Sequence, residues 1–165
     1  MNWKLLHSSG EIYQAEFSLL SPADLPRIKK NEGWSRGFNW AKYLSPVSEF
    51  IAYKLHLVGN PQIQGLLAVA VRDGFAELDL IEKAPSNRIP INEFMNVGEV
   101  LFAKACLISF EHKGNGYVLL RAKTNLIEHY MKRYGMEIIH LKKRLLAIPP
   151  LEAQRLIRLY LIKRS

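Results

Sequence analysis

Glu77 and Asp79, two residues apart, are the first groups in this chain whose spacing suggests chemistry. In a strand that spacing turns both side chains to one face. A central strand covered on both faces would not carry two acids, so this face is expected to be wet, either on a solvent-facing edge strand or along the wall of a site. Paired carboxylates can relay a proton when their surroundings separate their proton affinities. Tyr130 and Tyr134, four apart, share one side of a helix, where they pack together. Cys106 is the only cysteine, which excludes an internal disulfide and a zinc site of clustered thiols. The five histidines, His7, His56, His112, His129 and His140, lack the paired spacing of metal ligands, so no metal is expected.

These residues need elements to hold them, and 165 residues suffice for one domain spanning 1–165 with a full core. Glu11 to Leu20 alternates as a strand, and Ser21-Pro22 opens a short helix toward Lys30. Asn31 to Ser48 reads as a loop rich in Gly and aromatic residues, with a short helix from Asn39. Strands follow at Glu49–Leu57, Ile63–Val71 and Phe75–Glu82. The tight-turn pair Asp73-Gly74 joins the last two, so the three form an antiparallel meander. Phe94, Val97, Leu101, Ala105 and Ile108 recur at helical spacing until Gly114-Asn115-Gly116. Tyr117–Lys123 then reads as a strand and Asn125–Tyr134 as a helix closed by Gly135. Met136–Leu141 is a further strand, extending toward Ile148, and Leu151–Lys163 is a last helix opened by Pro149-Pro150. The alternation of strand and helix requires some parallel pairing. The class is α+β, a mixed sheet with an antiparallel N-terminal meander flanked by helices.

Charge is unevenly spread: 10 Lys and Arg face 9 Asp and Glu up to Pro90, and 13 face 6 beyond it. A basic half attracts polyanions, whether nucleic acid, an acidic surface or a phosphate-rich cofactor. Its basic residues include Lys142, Lys143, Arg144, Arg155, Arg158, Lys163 and Arg164, and the last helix runs to about residue 164. That helix sets Ala153, Leu156, Ile157 and Tyr160 on one face. Leu159 and Ile162 widen its apolar surface, which would suit docking on its own domain or a homodimer contact. No helix-turn-helix or zinc finger is recognisable, so nucleic acid is a partner the charge permits without favouring. The apolar runs, such as Leu66–Val71, fall far short of the roughly 18 to 20 residues of a membrane span. With no leader pattern at Met1–His7, the cytoplasm is the expected compartment.

Between about Gly65 and Ile139 the order of elements is similar to that of the GNAT N-acyltransferase superfamily. Ile63 to Pro85 resembles the third and fourth strands of that family, which read Gly-apolar-apolar and end at Val-x-Pro; here the end is Lys83-Ala84-Pro85. Tyr130 to Met136 resembles the Tyr-acid-Lys-x-Gly-Phe close of its next helix. The resemblance implies transfer of an acetyl group from acetyl-CoA to an amine. It implies a pyrophosphate loop, Arg/Gln-x-x-Gly-x-Gly/Ala, at the start of the long helix, where small residues let backbone N–H groups converge on phosphate. One frame is Glu93-Phe94-Met95-Asn96-Val97-Gly98. Asn96 replaces the first glycine, since Asn reaches left-handed conformations readily, and Glu93 puts a carboxylate where the family has a base or amide. A second frame uses Arg88, from Pro85-Ser86-Asn87-Arg88, with five extra residues in the loop. In a third reading Asn92 is an ordinary N-cap and Gly98 lies inside the helix.

By the same resemblance, backbone N–H groups at Asn96, Val97, Gly98 and Glu99 hold pyrophosphate. Donors around Ile81 to Lys83 polarise the thioester carbonyl, and Asn125 also contacts the cofactor. Glu77 or Asp79 relays the amine proton. The family tyrosine that protonates the departing thiolate falls at Met131. Tyr130 is one residue early, a rotation of about 100° on a helix, and serves only if that helix is displaced. The aromatic segment Gly33 to Trp40 lies on the acceptor side, as a substrate surface or as a lid on the meander. Two other functions stay open: a silent GNAT-like module contacting nucleic acid or a protein through its basic half, and a structural protein that dimerises through Leu151–Lys163.

Overall fold

The computed structural model describes residues 1–163, so Arg164, counted among the basic C-terminal residues, lies outside the described residues. Eight strands form one sheet: β1 (Trp3–Leu6), β2 (Ile12–Leu19), β3 (Ile51–Leu57), β4 (Ile63–Arg72), β5 (Phe75–Lys83), β6 (Val118–Arg121), β7 (Glu137–His140) and β8 (Leu145–Ile148), in the spatial order β1-β2-β3-β4-β5-β6-β8-β7. Among the described residues only β5 and β6 run parallel. Three α-helices follow the meander: α1 (Val97–Glu111), α2 (Ile127–Tyr134) and α3 (Pro150–Tyr160).

The meander forms where the turn chemistry requires it. Gly74 takes a φ of +83°, which lets two residues reverse the chain between β4 and β5. From Ile63 to Ala70 every β4 side chain is buried, because both faces of this central strand are covered. One face carries α1 and α3 over Leu67, Val69, Ala76 and Leu78; the other carries three short 3₁₀ turns between residues 22 and 44, which press Trp34, Trp40 and Tyr43 onto Leu66 and Ala68. The aromatic segment is thus mainly a lid on the meander, held by a second small core.

Helix α1 is buried on nearly all sides, with seven consecutive residues, Val97 to Ala103, in the core. It reaches the sheet at Gly65, where a Cβ would lie 2.9 Å from Val97 Cγ1, so only glycine admits the helix this closely. Cys106 is in this core as expected, and burial raises its thiol pKa well above the usual range.

Several elements depart from the sequence reading. Trp3–Leu6 forms the edge strand β1, ahead of the first strand expected at Glu11. The last strand is two: Leu141–Arg144 turns the chain, and β8 returns between β6 and β7, antiparallel to both. Phe94 does not open the long helix; it bridges to His7 beside β1, and Asn96 is the N-cap. Asn92, at φ +47°, is in a turn four residues upstream and caps nothing in α1. Asn96 is not left-handed (φ −122°). Its side chain instead joins β1, accepting from Leu6 N–H (2.8 Å) and donating to Lys4 O (2.9 Å). The loop's extra residues are fastened the same way, by Ser8 N–H to Glu93 O (2.8 Å) and Met95 N–H to Leu6 O (2.9 Å). Helix α3 ends at Tyr160, short of the expected end.

Candidate active site

The parallel ladder between β5 and β6 stops early. Ala76, Glu77 and Leu78 pair with Val118, Leu119 and Leu120, yet β5 continues five residues further, to Lys83. Residue 79 marks the departure: Val69 pairs with Leu78 and Ala68 with Leu80, leaving Asp79 as a bulge. Beyond it β5 stays on β4 and leaves β6. Ala84 N–H donates to Gln64 O within β4 (3.0 Å), so by strand alternation the N–H groups of Lys83 and Ile81 point away from β4, into the gap.

That gap is a cleft of about 210 Å³ between Leu80 and Ile81 on one side and Leu120, Ala122 and Leu126 on the other. Phe38 from the aromatic segment and Tyr130 from α2 also line it. Tyr130 therefore reaches the cleft despite its position one residue early, while Met131 is exposed. The tyrosine ring packs edge-on against Phe102, centroids 5.7 Å apart, and its hydroxyl has no hydrogen-bond partner among the described residues. Burial raises its pKa, so it holds its proton. A shallower hollow of about 390 Å³ continues the cleft past Ile81 and Phe38 to Lys83 and Arg88.

The first turn of α1 lies at this end. No side chain among the described residues caps it, since Asn96 is occupied by β1. The N–H groups of Val97, Gly98 and Glu99 therefore carry the positive end of a 15-residue helix. Lys83 lies against it, its Nζ 3.8 Å and its Cε 3.2 Å from where a Gly98 Cβ would stand. Tyr134 Oη is 3.0 Å from the same point and donates to Glu99 Oε1 (3.2 Å), and Arg133 donates to Glu99 Oε2 (3.1 Å). Glu99 is thus a buried, paired carboxylate in the first turn. Burial, then the Glu99 charge, raises the Tyr134 pKa, and the same charge raises that of Arg133.

The acids of β5 all turn to the face opposite α1. Glu77 accepts from Arg72 Nε (2.9 Å). Asp79 accepts from Tyr43 Oη (2.6 Å), with Lys42 Nζ at 3.9 Å; burial, then this bond, raises the Tyr43 pKa. Both acids line a second hollow of about 250 Å³, which shares Leu78 and Leu120 with the cleft. Glu82 was not singled out by its sequence, yet it is the most tightly held of the three. Its carboxylate, 2% exposed, accepts from Ser35 N–H (2.6 Å), Trp40 Nε1 (2.8 Å) and Arg88 Nη2 (2.6 Å). Arg88 also donates to Gly33 O (2.8 Å) and Lys83 O (3.2 Å), so its guanidinium serves the aromatic lid. Lys30 Nζ closes the lid from the far side, donating to Ser35 O and Phe38 O. Asn125 is exposed on the turn before α2. No cluster of three His, Cys, Asp or Glu side chains could hold a metal among the described residues.

No protein-family model matches the chain, and no curated protein matches it by sequence. Solved structures do match in fold. AtaTR bound with AcCoA superposes with a TM-score of 0.59 at 14% identity, covering 87% of this chain and 98% of that one. Nourseothricin acetyltransferase gives 0.51 at 14% identity, covering 81% and 95%. The ribosomal-protein-S18-alanine N-acetyltransferase from Escherichia coli gives 0.51 at 19% identity, covering 81% and 90%.

Proposed function

Because the chain has the GNAT acyltransferase fold, we propose that it transfers an acyl group, acetyl in the simplest case, from its CoA thioester to an amine. The observation that carries this reading is the unzipped parallel pair: β5 and β6 part after Leu78 and Leu120, and the free N–H groups of Ile81 and Lys83 face the gap that opens. Such donors stabilise an oxygen on which negative charge develops as an amine attacks a carbonyl. Acyl-CoA supplies an activated carbonyl and a thiolate leaving group. The uncapped first turn of α1, with N–H groups at Val97, Gly98 and Glu99 behind Asn96, and the Lys83 ammonium beside it, fits a pyrophosphate. Tyr130, protonated and unpartnered in the cleft, gives its proton to the sulfur as the C–S bond breaks. Asp79, or Glu77 through water, takes the proton the amine loses. Asn125, exposed on the turn between Lys123 and Leu126 of the cleft wall, would meet the pantetheine arm. Arg88 reaches a phosphate only by leaving Glu82.

Calorimetric titration with acetyl-CoA tests this reading. The wild-type protein is expected to bind, Lys83→Ala to bind more weakly, and Gly98→Trp not to bind, because its side chain would push Lys83 and Tyr134 away from the turn. The Lys83 variant guards against a Gly98 variant that fails to fold. Folded wild-type protein that ignores acetyl-CoA would end the proposal.

Two contacts favour a second reading, a GNAT-like module without catalysis. Glu99 places a carboxylate in the turn that would face phosphate, and Arg88 is bound into the lid. The same titration separates the two readings.

A further inference from the structure

Two groups stand out among the cations of the C-terminal half. Arg133, Lys132 and Arg155 each have an acid, Glu99, Glu128 and Glu152 respectively. Arg121, Lys123, Lys142, Lys143 and Arg144 are all exposed, and none is ion-paired among the described residues. Sequence separates the two ends of this second group by some twenty positions, but the sheet joins them. Arg121 pairs with Leu145, and Ala122 N–H donates to Arg144 O (3.0 Å), which ties the β7–β8 turn to the end of β6. Arg121 and Lys123 line the cleft itself, and Arg121 also lines the hollow that holds Glu77 and Asp79. Acids therefore stand inside, on the β5 wall, while Arg121 and Lys123 form the rim of the cleft and the turn that carries Lys142, Lys143 and Arg144 is fastened beside them.

Like charges gathered at one end of the sheet repel one another unless an anion joins them. A single carboxylate or phosphate would engage one or two of the five. A phosphodiester backbone offers a charge to each in succession and releases its counterions on binding. We propose that this rim docks the backbone of a nucleic acid. Together with the acyl transfer proposed above, on which this clause rests, that makes the acceptor an amine carried on a nucleic acid, with the amine drawn to Asp79 and the phosphates held by the rim. The docking surface is the mouth of the cleft. It is not helix α3, where Arg155 is paired and Arg158 stands apart.

The test is fluorescence anisotropy with labelled single-stranded RNA and DNA oligonucleotides of mixed sequence. The proteins are the wild type, a rim variant Lys123→Ala/Lys142→Ala/Lys143→Ala, and a control Lys29→Ala/Lys113→Ala/Arg158→Ala that removes three exposed cations elsewhere. Wild type and control should bind alike. The rim variant should bind more weakly, with a log–log salt slope shallower by about 2, from three lost contacts at roughly 0.7 each on a single strand. Equal loss in both variants would overturn the assignment, as would binding of poly-glutamate as tight as that of the oligonucleotides. Acetyl-CoA titration of the rim variant separates the other phosphate source: a matching loss of acetyl-CoA affinity would assign these cations to the donor and overturn the proposal. Oligonucleotide binding without acetyl-CoA binding would remove the acyl-transfer reading and leave the docking surface standing.

Discussion

Replacing Glu82 by Gln keeps the side chain's shape and removes its charge, at a position where three donors converge on a carboxylate that is 2% exposed. Oε2 accepts from Ser35 N–H and Arg88, and Oε1 from Trp40 Nε1. A glutamine fits best with its oxygen at the first position, which turns its NH₂ group against the indole N–H, donor facing donor. Losing a charge-assisted bond costs about 1.5–3 kcal/mol, and an orphaned buried N–H about 1–3 kcal/mol. Removing one member of a buried ion pair costs about 3–5 kcal/mol in total. Arg88 is 38% exposed, so water recovers part of its loss, which places Glu82→Gln near the low end, at about 3 kcal/mol. For a chain of this size that lowers Tm by roughly 6–12 °C. Urea unfolding followed by tryptophan fluorescence reads it, since Trp34 and Trp40 lie in the small core the network holds. A double-mutant cycle with Arg88→Met should give a loss clearly smaller than the sum of the two single losses. A destabilisation below about 1 kcal/mol, or strict additivity in the cycle, would refute the account of the lid given above.

Tyr130→Phe should fold as the wild type does, because the lost hydroxyl has no partner among the described residues. It should release CoA from acetyl-CoA and a competent amine about 100-fold more slowly, with acetyl-CoA affinity unchanged; wild-type turnover would remove it from the acid's role. Asp24 gives a pH prediction. Burial raises its pKa, but hydrogen bonds from Lys54 (2.8 Å) and Ser21 outweigh this and hold it below the usual carboxylate value. A pKa lower in the folded than in the unfolded state means stability present above about pH 4 and lost as pH falls through the folded value. The stability gap between wild type and Asp24→Asn should therefore be flat near neutrality and shrink below about pH 4, as followed by urea midpoints; a gap indifferent to acid would contradict the assignment.

What could be read from the chain depended on whether the signal was local. Asp73-Gly74 fixes a hairpin by itself, and Gly135, at φ +61°, stops α2 in the left-handed conformation that glycine adopts without strain. The alternation of Glu77 and Asp79 correctly puts both on one face, and the bulge at Asp79 lets Glu82 join them there, which plain alternation would not give. Tyr130, Lys83 and Gly98 were legible as candidates because the resemblance named their neighbourhood. The partners of Glu82 were not, since Ser35 and Trp40 lie more than forty residues away and nothing near them signals a carboxylate. Strand β8 also escaped, because Leu145–Ile148 is four apolar residues without alternation, buried by neighbours that arrive from elsewhere. The long loop before α1 looked like a damaged phosphate motif. Its extra residues serve β1 instead, through Phe94, Met95 and Asn96.

The unzipping of β5 from β6 also divides one strand into two kinetic classes. Leu80 and Glu82 direct their amides into the ladder with β4, while Ile81 and Lys83 direct theirs into a cleft that water can enter. Protection from hydrogen exchange should therefore alternate residue by residue along a strand that is otherwise central to the sheet. Whatever fills the cleft must slow the exposed amides and leave their neighbours unchanged, so this short stretch of backbone reports occupancy of the cleft even when the ligand itself carries no signal.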